Sequence, residues 1–109
     1  MAKLERTISE DFRSLLARID KGIMSGSVSA SMEDGSDFTS GDVRCSVRVY
    51  ERYSWFGGNR VSLSVTLFQP GKDMPVQVSA ITSGGSQAVF AKVNTIGEEN
   101  FLAKLSELL

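Results

Sequence analysis

The sequence predicts an α+β fold: a two-layer sandwich in which an antiparallel sheet of about five strands carries an N-terminal and a C-terminal helix on one face. Three observations predict it. Apolar residues recur at helical spacing only near the two ends of the chain. Between those ends they alternate with polar residues in short runs, the period of a strand with one face on a core and one in water. The runs are joined mostly by short breaks rich in Gly, Pro and Asp, so consecutive strands pair as antiparallel neighbours.

The leading segment "AKLERTI" alternates Leu4, Arg6 and Ile8 against Lys3, Glu5 and Thr7 and reads as a short strand. In "TISE", Thr7 and Glu10 have the spacing of a capping box that opens a helix, with Ser9 as the competing cap. Phe12, Leu15, Leu16, Ile19 and Ile23 then form one stripe of an amphipathic helix over Glu10–Ile23. After "KGIMSGS" the period changes, and Val28, Ala30 and Met32 alternate with Ser27, Ser29 and Ser31 as a strand. "EDGSDFTSGD" reads as a turn-rich connection. Val43, Cys45, Val47 and Val49 alternate with Arg44, Ser46, Arg48 and Tyr50; beyond "WFGGN", Val61, Leu63, Val65 and Leu67 alternate with Ser62, Ser64, Thr66 and Phe68. These two strands form a hairpin, with the valines and Cys45 assigned to the core. "QPGKDMP" breaks the pattern before Val76, Val78 and Ala80 continue it. Residues 87–94 read as a fifth strand in preference to a short helix. "TIGE", with Thr95 and Glu98, repeats the capping logic before a closing helix faced by Phe101, Leu102, Leu105, Leu108 and Leu109. In outline the order resembles helix-grip and saddle-like folds, whose element order carries no function by itself.

At 109 residues the chain fits one α+β domain, residues 1–109, large enough to bury a real core. Twelve Lys and Arg against thirteen Asp and Glu leave a net charge of −1, which supplies no field for nucleic acid or an anionic membrane. The start has no apolar run of a signal-peptide kind and the single cysteine excludes an intramolecular disulfide, so a cytoplasmic setting is expected. Histidine is absent and Cys45 is alone, which removes Ser-His-Asp, Cys-His and ordinary zinc chemistry. No catalytic residue, metal or cofactor is therefore assigned.

The candidate contact residues are Trp55, Phe56, Arg44, Arg48, Tyr50, Gly84 and Gly85. Trp55 and Phe56 stand beside glycines at a hairpin end, where they either face a ligand or partner or fold back as a lid; the lid is favoured. Arg44, Arg48 and Tyr50, with Arg52 and the serines of the strands, are assigned to an outward polar sheet face. That face is either simply solvated or covered by a second subunit or an anionic ligand. Gly84 and Gly85 in "TSGGSQ" lack the longer phosphate-loop pattern and are assigned to a hairpin tip. Cys45 reads as a buried, inert thiol, and the acidic "EDGSDF" lacks calcium-loop spacing.

"SGSVSASMEDGSDF", "RVYERYSWFGGNRVSLSV" and "SAITSGGSQAVFAKVNTIGEENFLAKL", in that order, resemble a family of small bacterial proteins classed only as a domain of unknown function. The likeness covers nearly the whole chain and rests on no catalytic signature. It implies a bacterial single-domain protein and transfers no functional residue. Residues and resemblance together point to a non-enzymatic interaction module that forms a homodimer. The alternative is a carrier for a small-molecule or lipid-like ligand, held in a cavity between the sheet and the closing helix.

Overall fold

The computed structural model describes residues 1–26, 30–53, 60–84 and 101–109. Its elements are β1 (Ala2–Ile8), α1 (Phe12–Gly26), β2 (Ser31–Ser40), β3 (Val43–Tyr53), β4 (Arg60–Gln69) and β5 (Val76–Gly84), followed by α2, whose described part is residues 101–108. The strands form one antiparallel sheet in the order β1-β5-β4-β3-β2. Strands β2 to β5 are a meander of sequential neighbours, and the leading strand returns to pair with the last of them. The α+β class and the antiparallel five-stranded sheet are thus as the alternation predicts, with the leading strand as a full member. The predicted strand at 87–94 and the Thr95–Glu98 cap lie outside the described residues.

One face of the sheet carries the core. Phe12, Leu15, Ile19 and Ile23 of α1 meet Tyr50 of β3, Val61, Leu63, Val65 and Leu67 of β4, Val76, Val78 and Ala80 of β5, and Phe101 and Leu105 of α2. Each large apolar side chain removed from water in this way contributes about 1.5–3 kcal/mol. The two helices are tied at their ends: Arg18 donates from Nε to the Leu108 carbonyl at 2.7 Å and holds Glu10 through both guanidinium nitrogens at 2.6 and 3.1 Å. That hydrogen bond holds the Glu10 carboxyl below its ordinary range and raises the Arg18 guanidinium. Gly22 lets the helices close, since a Cβ there would run into the Leu108 side chain.

Four sequence expectations are corrected. The cap of α1 is neither Thr7 nor Ser9 but Asp11, whose Oδ2 accepts from the Ser14 N–H and Oγ, both at 3.0 Å. Thr7 is committed to β1 opposite Gln77, and Glu10 to Arg18. "EDGSDFTSGD" is mostly strand rather than connection. Its Asp, Gly and Ser residues are tolerated because β2 is an edge, where charges and a bulge between Met32 and Asp34 guard an open row of backbone groups. The turn is confined to Gly41 and Asp42, with Gly41 at φ 59°, the left-handed region a tight loop requires.

The third and fourth corrections concern β3. Its register pairs Ser46 with Leu67, Arg48 with Val65, Tyr50 with Leu63 and Arg52 with Val61, so the polar phase of the strand faces the helices. Val43, Cys45, Val47 and Val49 point away from the core and are half-buried. Cys45 is accordingly a thiol of the outer sheet face, not of the interior.

Candidate functional site

The helix-facing side of β3 becomes intelligible from what lies opposite it. Tyr50 is the one side chain of that phase large and apolar enough to fill the core, and its hydroxyl donates to Asp20 of α1. Burial, and then that carboxylate, push the Tyr50 phenol well above its ordinary value. Arg48, two residues back, lies 3.8 Å from Asp20 and 3.0 Å from Asp37 of β2, while Ser46 donates to the same Asp37 at 2.6 Å. The Ser46 hydroxyl, and secondarily Arg48, hold the Asp37 carboxyl below its usual range. Arg52 lays its guanidinium 4.8 Å from the centre of the Phe101 ring, and burial lowers its pKa. These long side chains keep their stems against the core and their heads at its margin.

Tyr50, Arg48, Asp20, Asp37 and Ser46 are therefore a structural network joining α1 to β2 and β3. A serine bonded to a carboxylate has the outline of a nucleophile and base. Here, though, the carboxylate is held ionised beside an arginine, which makes it a poor proton acceptor. The described residues bring together no group of three or more His, Cys, Asp or Glu able to hold a metal. Arg44 lies at the edge of the network, sharing a small cleft with Asp37 and Ser46. It also lines a cleft of about 680 Å³ with the cap residue Asp11, Phe12 of α1, Asp42 of the β2–β3 turn and Lys72 and Asp73 of the β4–β5 loop.

The outer face of the sheet has nothing over it among the described residues. The register sets its side chains in rows across the strands. One row runs Lys3, Ile81, Ser64, Val49, Asp34 from β1 to β2; the next runs Glu5, Ser79, Thr66, Val47, Ser36; the third runs Thr7, Gln77, Phe68, Cys45, Phe38. The valines of β3 and Cys45 thus lie beside Phe38 (64% exposed) of β2 and Phe68 (37%) of β4, while Ile81 (40%) of β5 is set off from them by Ser64 and Thr66 of β4.

Of the residues singled out in the sequence, Arg44, Arg48 and Tyr50 lie on the helix side and not on the outward face. Gly84 ends β5 opposite Val61. Trp55, Phe56 and Gly85 lie outside the described residues. Sequence reasoning missed Phe38, Phe68 and Ile81, although each carried a signal: all three are large apolar residues standing where the phase of their strand, or the polarity of their segment, calls for a polar one.

No helix among the described residues is long and apolar enough to cross a membrane. Compared with curated proteins and with solved structures, the chain has no match. Residues 1–109 match the family described as a family of unknown function, DUF6054, and the chain belongs to that family.

Proposed function

We propose that the chain is a non-enzymatic interaction module that binds a second copy of itself through the outer face of its sheet. The observation that carries this reading is the placement of Val43, Cys45, Val47 and Val49 with Phe38, Phe68 and Ile81 on the sheet face that has nothing over it among the described residues. Burying such a face against its own copy removes apolar surface from water on both sides at once, and two-fold pairing is the commonest way soluble chains do it. The serines and threonine of β4, at the middle of that face, allow close approach of a facing sheet. Arg44, Arg48 and Arg52 lie on the other side, and the charges that β3 and β4 do place on this face, Glu51 and Arg60, stand together at one end of it.

Sedimentation of the wild-type chain over a range of concentrations tests the reading together with the double variant Val49→Lys/Phe68→Lys. Two lysines in a desolvated face have no partner charge, so the variant is expected to sediment as a folded monomer under conditions where the wild type is a dimer. A wild-type chain that remains monomeric at high micromolar concentration refutes the reading, as does a double variant that dimerises with unchanged affinity. The near-neutral net charge and the unpaired thiol fit a cytoplasmic setting for such a module.

A further inference from the structure

We infer that the small cleft between α1, β2 and the start of β3 is a binding site for a compact organic anion, with Arg44 as its anchor. The cleft lies on the helix side of the sheet, away from the face proposed for pairing. Of the other arginines on that side of β3, Arg48 is held by Asp20 and Asp37, and Arg52 lies against the Phe101 ring. Arg44 is half-buried like them, yet it makes no hydrogen bond or ion pair among the described residues. A guanidinium partly withdrawn from water, with its fork of donors unclaimed by the protein, is matched by an oxyanion that accepts two parallel N–H groups at once.

The charges around Arg44 decide which side of it an anion takes. Arg44 and Phe12 border two clefts. The larger, of about 680 Å³, sets Glu10, Asp11, Asp42 and Asp73 against Arg44 and Lys72, an acidic balance that turns an anion away. The smaller, of about 260 Å³, sets Arg13 and Arg44 against Asp37 alone. That carboxylate is already compensated, accepting from Ser46 at 2.6 Å and standing 3.0 Å from Arg48. Asp11, whose carboxylate feels both Arg44 and Arg13, is committed to Ser14 at the cap of α1. Arg13 has no hydrogen bond or ion pair among the described residues either, so the small cleft keeps two uncommitted cations. Phe12 and Leu16 give it an apolar wall and Thr39 a hydroxyl. Its volume falls just below the roughly 300–1,000 Å³ of drug-sized ligand sites, which limits the occupant to a carboxylate or phosphate carried on one small apolar group.

Benzoate and phenyl phosphate are the probes and benzamide is their neutral control, with binding read from backbone amide NMR shifts of the full chain. Both anions are expected to move the signals of Arg13, Thr39 and Arg44 saturably and to leave Ile81, on the outer face, in place; benzamide moves none of them. The tighter of the two anions names the headgroup as carboxylate or phosphate. Arg44→Gln is expected to weaken binding roughly tenfold or more, the effect of losing a charge-assisted bidentate pair. Arg44→Lys recovers only part of that, because an ammonium keeps the charge and lacks the fork. Arg13→Gln weakens binding severalfold, and Lys72→Gln, which touches only the larger cleft, by less than about twofold. Urea midpoints show that each variant is folded; Arg44→Gln should match the wild type, having no bonded partner to lose. The absence of shifts with both anions at tens of millimolar, an equal response to benzamide, binding undiminished in Arg44→Gln, or a larger loss in Lys72→Gln than in Arg13→Gln overturns the site. The same shifts are expected in Val49→Lys/Phe68→Lys, so a failure of the pairing reading leaves the site standing, and a failure of the site leaves the pairing reading standing.

Discussion

Replacing Tyr50 by Phe tests the inverted phase of β3 at a single atom. The ring is fully buried and Phe fills the same space, so no cavity term enters beyond the missing oxygen. What is lost is the hydroxyl donated to Asp20. Hydrogen bonds to a charged group contribute about 1.5–3 kcal/mol. Asp20 is 36% exposed and keeps Arg48 at 3.8 Å, so water and the arginine recover part of the loss. The expected cost is therefore at the lower end of that range, about 1.5 kcal/mol. With a urea m value of about 1.5 kcal/mol/M for a domain of this size, the midpoint falls by about 1 M at unchanged m. In a double-mutant cycle with Asp20→Asn, the coupling between the two positions should reach about 1 kcal/mol. An unchanged midpoint and zero coupling would refute the reasoning, because they would put the hydroxyl in water on the outer face and the valines inside.

Alkaline pH gives a second view of the same residue. Its native pKa is raised above the ordinary value of 10, so the stability it contributes is complete below pH 10 and is lost as the pH rises above that. Ultraviolet titration should show one of the two tyrosines ionising only as the chain unfolds, and Tyr50→Phe should remove that late step. At the acid end, Glu10, Asp11 and Asp37 have depressed pKa values, so their contributions are present above about pH 4.5 and fade as the pH falls below it. Urea midpoints between pH 7 and 2.5 should fall accordingly, and Ser46→Ala should reduce the slope. Asp11→Ala should lower the midpoint while Asp11→Asn largely preserves it and Thr7→Val leaves α1 intact by circular dichroism; the opposite ranking would return the cap to Thr7. Gly22→Ala should cost stability in the wild type, because its Cβ would stand 2.9 Å from Leu108 Cγ, yet gain up to about 1 kcal/mol in a Leu108→Ala background, where only the helix propensity of alanine remains. A gain in both backgrounds would show that the helices do not approach at Gly22.

These contrasts mark where local pattern sufficed and where it did not. The stripe of α1, the β3–β4 hairpin and the alternation of β4 and β5 were legible because each matches its period without competition. Period does not say which side of a strand is buried when both sides have a claim. In β3 the valines are the more apolar set, but the opposite set holds the residue that fills the most core volume, Tyr50. The partners that satisfy its neighbours, Asp20, Asp37 and Phe101, are distant in sequence and come together only through the register. In β2, Asp and Gly read locally as a turn, and only the strand's place at the sheet edge makes them acceptable there. The outer face was legible as a surface of small hydroxyls. Its apolar half was not, because it depends on the phase of β3 and on Phe38, Phe68 and Ile81 being brought into neighbouring rows.

The central claim is that this face is covered by a second copy, and sedimentation equilibrium of the unmodified chain at tens of micromolar tests it most directly. A species of twice the 11.8 kDa chain mass, dissociating on dilution and lost in Val49→Lys/Phe68→Lys, is the predicted result. A single 11.8 kDa species at every concentration up to the high micromolar range would contradict it.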